Sequence, residues 1–144
     1  MARRCHAISS EFRIRRLHVL GARFSNLRHG EQGEEALMGR YIQVSTTVER
    51  KEDADRIAKT LVEKRAAACA QVLGPIRSTY WWKGRLEEAT EWLCVMKTRE
   101  DLYADLEANL KAAHPYEVPE IVAVPVTKGS EAYLRWIEEE TSKG

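Results

Sequence analysis

The chain has 144 residues, 44% apolar and 31% charged, the size and balance of one globular domain. Its net charge of +1 excludes nucleic-acid binding through bulk charge. No apolar run approaches the roughly 20 residues of a membrane-spanning helix. Neither nucleic acid nor a membrane is therefore an expected partner. Cys5, Cys69 and Cys94 are too few and too far apart for a disulfide framework or a paired-cysteine zinc site. They fit a reducing, cytoplasmic compartment, with Cys69 and Cys94 as small buried apolar side chains.

Charge and periodicity divide the chain near Met38. Residues 1–37 hold seven Arg, no Lys and four acids, without a sustained helical or strand period. This extension is expected to be disordered and dispensable. Two origins fit it. Met38 is the true start, since Gly33 to Leu37 can be encoded by a purine-rich ribosome-positioning run. Alternatively, the Arg-rich, acid-poor stretch is an organellar transit peptide, which would move the protein out of the cytoplasm. Residues 38–144 are expected to form the folded domain.

Within that domain, Arg40–Thr47 alternates as a strand, Ile42, Val44 and Thr46 sharing one face. An amphipathic helix is predicted from Lys51 to Ala67, with Ile57, Ala58, Leu61 and Val62 in its apolar stripe. Ala68–Leu73 is a short apolar run punctuated by Gly74-Pro75. Ile76–Trp82 and Leu86–Thr98 read as a hairpin about Lys83-Gly84. In its second strand Trp92, Cys94 and Met96 share a face.

Thr98-Arg99-Glu100-Asp101 resembles a capping box, so Thr98 is the expected N-cap of a helix carrying Leu102, Tyr103, Leu106, Leu110 and Ala113. Pro115 ends it. Ile121–Val126 reads as a buried strand, which Pro125 requires to lie at a sheet edge or to bulge there. A last helix follows Ser130, its expected N-cap, with Tyr133, Trp136 and Ile137 on one face. This order gives an α+β, ferredoxin-like split βαβ sandwich with an extended hairpin and a C-terminal helix. Helices cover one sheet face. The rings of Trp81, Trp82 and Trp92 exceed what one two-layer domain buries, so association through the sheet is expected.

Ser78 to Leu86, Glu91 through Lys97-Thr98, and His114-Pro115-Tyr116-Glu117-Val118-Pro119-Glu120-Ile121 make an ordered signature. Pro125-Val126, Gly129, Tyr133-Leu134 and Trp136 extend it, as does Ala67-Ala68-Cys69-Ala70. Together they resemble the divalent-cation tolerance proteins called CutA, over residues 40–138. The resemblance implies a homotrimer, a role in divalent-metal and especially copper tolerance, and no enzyme activity. The implied ligand is copper or zinc, with no part in folding. The family's proposed copper ligands, one Cys and two adjacent His, fall here on Ser45, Ala113 and His114. A hydroxyl and a methyl replace two of the three.

His114 has two readings: a helix-end histidine bonded to local backbone, or, joined by Glu117 or Glu120, a ligand for zinc or another borderline metal. Lys97, inside a strand, needs a partner, for which Glu91 and Glu120 are the candidates. It belongs either to a subunit boundary or to a cleft for an anion or metabolite. With Tyr116, Glu117, Glu120 and Trp82 it completes the candidate cleft residues. Tyr80, Trp81, Trp82 and Trp92 form either a ligand cage or core and interface. No catalytic residues emerge, since Glu87 and Glu88 point to opposite faces of a strand and no phosphate loop or nucleophile elbow occurs. The functional reading is a trimeric metal-tolerance protein that binds metal weakly. The alternative is a trimeric sensor or adaptor that binds a small molecule or protein between subunits.

Overall fold

The computed structural model describes residues 40–142. The N-terminal extension expected over residues 1–37 lies outside them. The elements are β1 (Tyr41–Val48), α1 (Lys51–Glu63), β2 (Cys69–Trp82), β3 (Arg85–Arg99), α2 (Tyr103–Ala113), β4 (Val122–Pro125) and α3 (Glu131–Thr141). The four strands form one antiparallel sheet in the order β2-β3-β1-β4. This is the ferredoxin-like α+β arrangement expected from the element order.

Strand alternation decides what each face carries. Ile42, Val44 and Val48 of β1 and Cys94 and Met96 of β3 turn toward α1 and α2. There they meet Ile57, Leu61, Leu106 and Leu110, all fully buried. Each such side chain contributes about 1.5–3 kcal/mol by leaving water, so this layer carries most of the apolar stabilisation. Tyr41 points the other way, and α3 packs Leu134 and Ile137 on Tyr41 and Ala68 at one end of the reverse face. Leu134, not Tyr133 or Trp136, anchors α3. Those two rings stack on each other at 5.4 Å and stay exposed. Cys94 is buried and its thiol is pushed up to about 11, by desolvation first and then by Asp55. Cys69 is only half-buried and sits 3.4 Å from the Tyr133 hydroxyl.

Several boundaries differ from the expectations. The first helix stops at Glu63, not Ala67, because Arg65 turns left-handed (φ 59°). The turn lets Arg65 N–H donate to Val62 O and Ala67 N–H to Leu61 O, which satisfies late helical carbonyls. Arg65 also pairs with Glu140 at 2.6 Å. The run before Gly74-Pro75 and the strand after it form one strand, β2, with a register irregularity between Leu73 and Ile76. There Gly74 lies so close to the Trp92 ring that a Cβ would sit 2.7 Å from it. β4 takes the edge position that Pro125 requires, yet all four of its residues are exposed, so the buried-strand expectation fails. Ser130 occupies the N-cap position through its backbone carbonyl, and its side chain makes no capping bond. Among the described residues no helix is long and apolar enough to cross a membrane.

Thr98 corrects the capping-box reading. It lies in β3 with its side chain in the core, and its hydroxyl donates to Ala66 O at 2.8 Å. A short 3-10 turn separates it from α2. It therefore ties β3 to the α1–β2 connection and does not start a helix. Thr98→Val keeps the shape and strands a buried carbonyl, so it is expected to cost about 1–3 kcal/mol in urea denaturation, with helix content by circular dichroism unchanged. A loss of helix signal without loss of stability would restore the capping role.

Candidate functional site

The site is built where β1 loses its neighbour β4. Ser45 still pairs with Val122, but beyond it the side chains of Thr46 and Thr47 meet His114 and Glu120 of the segment following α2. His114, the first residue past α2, turns its ring inward and is 9% exposed. Its Nε2 lies 3.0 Å from Thr46 Oγ1, and its Nδ1 accepts the Tyr116 backbone N–H at 3.1 Å. An accepting Nδ1 requires the neutral ring with the proton on Nε2, which donates to Thr46. Burial lowers the His114 pKa below its ordinary 6.5, opposed by a backbone hydrogen bond at Thr47 and by the Asp53 and Glu91 charges.

The turn held by His114 sends Tyr116 toward the hairpin. Its hydroxyl donates to Glu91 Oε1 at 3.2 Å, and its pKa is pushed up to about 12, chiefly by burial and then by Glu91. Glu91 is 5% exposed and forms no ion pair with any described residue. Thr47 donates to Glu120 at 3.4 Å on the same side. Together these residues line one side of a cleft of about 680 Å³. Ser78, Tyr80 and Trp82, alternate residues of β2, form the other side.

Of the five cleft residues expected from sequence, Tyr116, Glu117, Glu120 and Trp82 line this space together and Lys97 does not. Lys97 donates instead to Gln71 Oε1 on the neighbouring strand, so neither Glu91 nor Glu120 is its partner within the chain. Six residues along one strand separate Lys97 from Glu91, about 20 Å. Glu91, expected as a partner for Lys97, and Tyr80, expected in a ligand cage or an interface, also line it, as do Thr47, Ser78, Thr79 and Val118, to which the sequence reading gave no site role. Glu91 stands at the strand position that faces away from Trp92, and that alternation was the available signal.

The three positions that the resemblance implied for copper are placed as follows. His114 has both ring nitrogens engaged, Ala113 offers no donor, and Ser45 points to the opposite sheet face from Thr46. Among the described residues no group of three or more His, Cys, Asp or Glu is arranged to hold a metal ion.

The ferredoxin-like sandwich with its long hairpin and edge cleft defines the class of protein, and comparison with known proteins defines the family. The family model for the CutA1 divalent ion tolerance protein matches residues 42–140, and the chain belongs to that family. It is 44% identical over 102 residues to the divalent-cation tolerance protein CutA of Pyrococcus horikoshii, covering 71% of this chain and 99% of that one. A rice relative named as chloroplastic CutA 1 is 39% identical over 100 residues, which span 69% of this chain and 56% of the relative. The crystal structure of CutA1 from Oryza sativa superposes with a TM-score of 0.70 at 36% identity, covering 75% of this chain and 99% of that one. The family model and the Pyrococcus relative are named for divalent ion or divalent-cation tolerance.

His114 is the one histidine among the described residues. With its folded pKa below the unfolded value, the unfolded chain binds more protons in the interval between them, so stability rises with pH there. The contribution is complete above about 6.5 and is lost as pH falls through that value toward the folded one. Urea denaturation across this range should show the loss, and His114→Gln should remove the part centred there. An unchanged pH profile in the variant would contradict the buried neutral ring.

Proposed function

We propose that the protein acts in divalent-cation tolerance as a non-enzymatic, cytoplasmic homotrimer, with weak metal contact and no resident copper site of the Cys-His-His kind. The observation that supports the assembly is the hairpin. From Ile76 to Glu91 its two strands pair only with each other among the described residues, leaving a free edge on each side. Trp81 is 74% exposed and Leu86 60%, and β4 offers another free edge elsewhere on the sheet. Exposed apolar edges invite uncontrolled pairing unless a specific partner covers them. Head-to-tail contacts that close with cyclic symmetry cover every copy of the patch, and the family resemblance implies three copies. Weak metal contact is assigned to exposed surface carboxylates outside the cleft, oxygen donors suited to hard or borderline divalent ions.

A second reading, a sensor or adaptor that binds a small molecule, is favoured by one further observation. The cleft beside Glu91 has the volume of a small-molecule site and brings together rings and carboxylates, although no metal-holding group is present among the described residues.

Light scattering of the full chain should give a mass about three times 16.5 kDa. The paired change Trp81→Asp and Leu86→Asp should lower it by placing charge in the buried contact. A stable monomer at micromolar concentration would contradict the assembly, and a trimer unaffected by the paired change would place the contact elsewhere.

A further inference from the structure

We infer that the cleft beside Glu91 binds a small organic cation, a protonated primary amine on an apolar stem, rather than a metal ion or an anion. The inference rests on the ligand-binding reading above and names the ligand class of that cleft.

Charge sets the sign of the ligand. Glu91, itself buried, lines the cleft with Glu117 and Glu120, and among the described residues no Lys, Arg or His side chain lines it. The one hydrogen bond to Glu91 from a described residue is from the neutral Tyr116 hydroxyl, at Oε1. Oε2 accepts none among the described residues, and no buried side-chain oxygen is left without a partner. Oε2 therefore opens into the cleft that Glu91 lines. A largely buried carboxylate with no cation beside it among the described residues is stabilised by a positive group with hydrogens to donate. An anion placed there would meet like charge at close range.

The walls set the shape. Tyr80 and Trp82 alternate on β2 and present their rings to the same side, directly across from Glu87 and Arg85, four and six residues along β2 from Ile76, the partner of Glu91. Aromatic faces attract a cation and also cover an apolar stem. Trp82 already holds the Lys83 ammonium 5.7 Å from its ring centroid, although Lys83 does not line the cleft. A divalent metal fits these walls poorly. It needs several oxygen or nitrogen donors converging at about 2.0–2.6 Å, and no such group exists among the described residues. A volume of about 680 Å³ suits a molecule of several carbon atoms rather than a bare ion.

The test is calorimetric titration of the full-length, assembled protein with three six-carbon probes that differ in head group: hexylammonium, hexanol and hexanoate. The indole N–H resonance of Trp82 reports whether the cleft is the site. Hexylammonium should bind and shift that resonance, and Glu91→Gln should weaken it at least about tenfold, the scale of one charge-assisted hydrogen bond. Hexanol and hexanoate should bind at least about tenfold more weakly. The head-group comparison uses the unaltered protein, so it decides the matter even where Glu91→Gln fails to fold. Equal or tighter binding of hexanol or hexanoate at Trp82 would overturn the cationic assignment and leave a ligand cleft standing. Hexylammonium binding that survives Glu91→Gln unchanged would overturn it too. No response of Trp82 to any probe, as when a neighbouring subunit fills the space, would overturn both the assignment and the ligand-binding reading.

Discussion

The buried imidazole of His114 joins the end of α2, the β1 edge and the turn that leads to the cleft. A ring that accepts at Nδ1 and donates at Nε2 has one protonation state and one orientation, so it works as a rigid link. Each bond contributes about 0.5–1.5 kcal/mol net, and an orphaned buried partner costs about 1–3 kcal/mol. Tyr116 takes its place from that link, and the Tyr116 hydroxyl reaches Glu91. The path from core to cleft is therefore Thr46, His114, Tyr116, Glu91. At the His114 position, where the family resemblance implied a metal ligand, this chain has a structural bridge.

Much of the fold was legible because its signals are local. The alternation of Ile42, Val44 and Thr46, the apolar stripe through Ile57 and Leu61, and Pro125 at an edge follow from backbone geometry that neighbouring residues enforce. The misread positions are those where a distant contact outweighs the local pattern. Thr98 matches a capping box, but its hydroxyl donates to the Ala66 carbonyl in the distant α1–β2 connection. The α1 pattern runs through Ala66 and Ala67, yet the left-handed turn at Arg65 redirects those residues into the core.

The cleft was half legible. Tyr116, Glu117 and Glu120 are adjacent in sequence, and Trp82 belongs to the hairpin signature, so their types and order pointed to a common place. Lys97 was grouped with them because its charge needed a partner, but strand spacing sets it far from the carboxylates, and Gln71 meets the need. Glu91 carries the strongest constraint in the cleft and was read as a partner for Lys97. A buried acid without a cation is a property of the folded surface around it, and residue type alone does not reveal it. The same hairpin thus has two distinct surfaces, an exposed apolar tip, to which the proposal assigns assembly, and a ring-lined side, to which it assigns a ligand.

The most direct measurement is the ¹⁵N spectrum of the His114 imidazole in the assembled protein, recorded with and without added copper or zinc. The account predicts a neutral ring near neutral pH, protonated at Nε2, whose two nitrogen signals stay in place as metal is added. A ring protonated at Nδ1, or a nitrogen signal that shifts or broadens in proportion to bound metal, would contradict it.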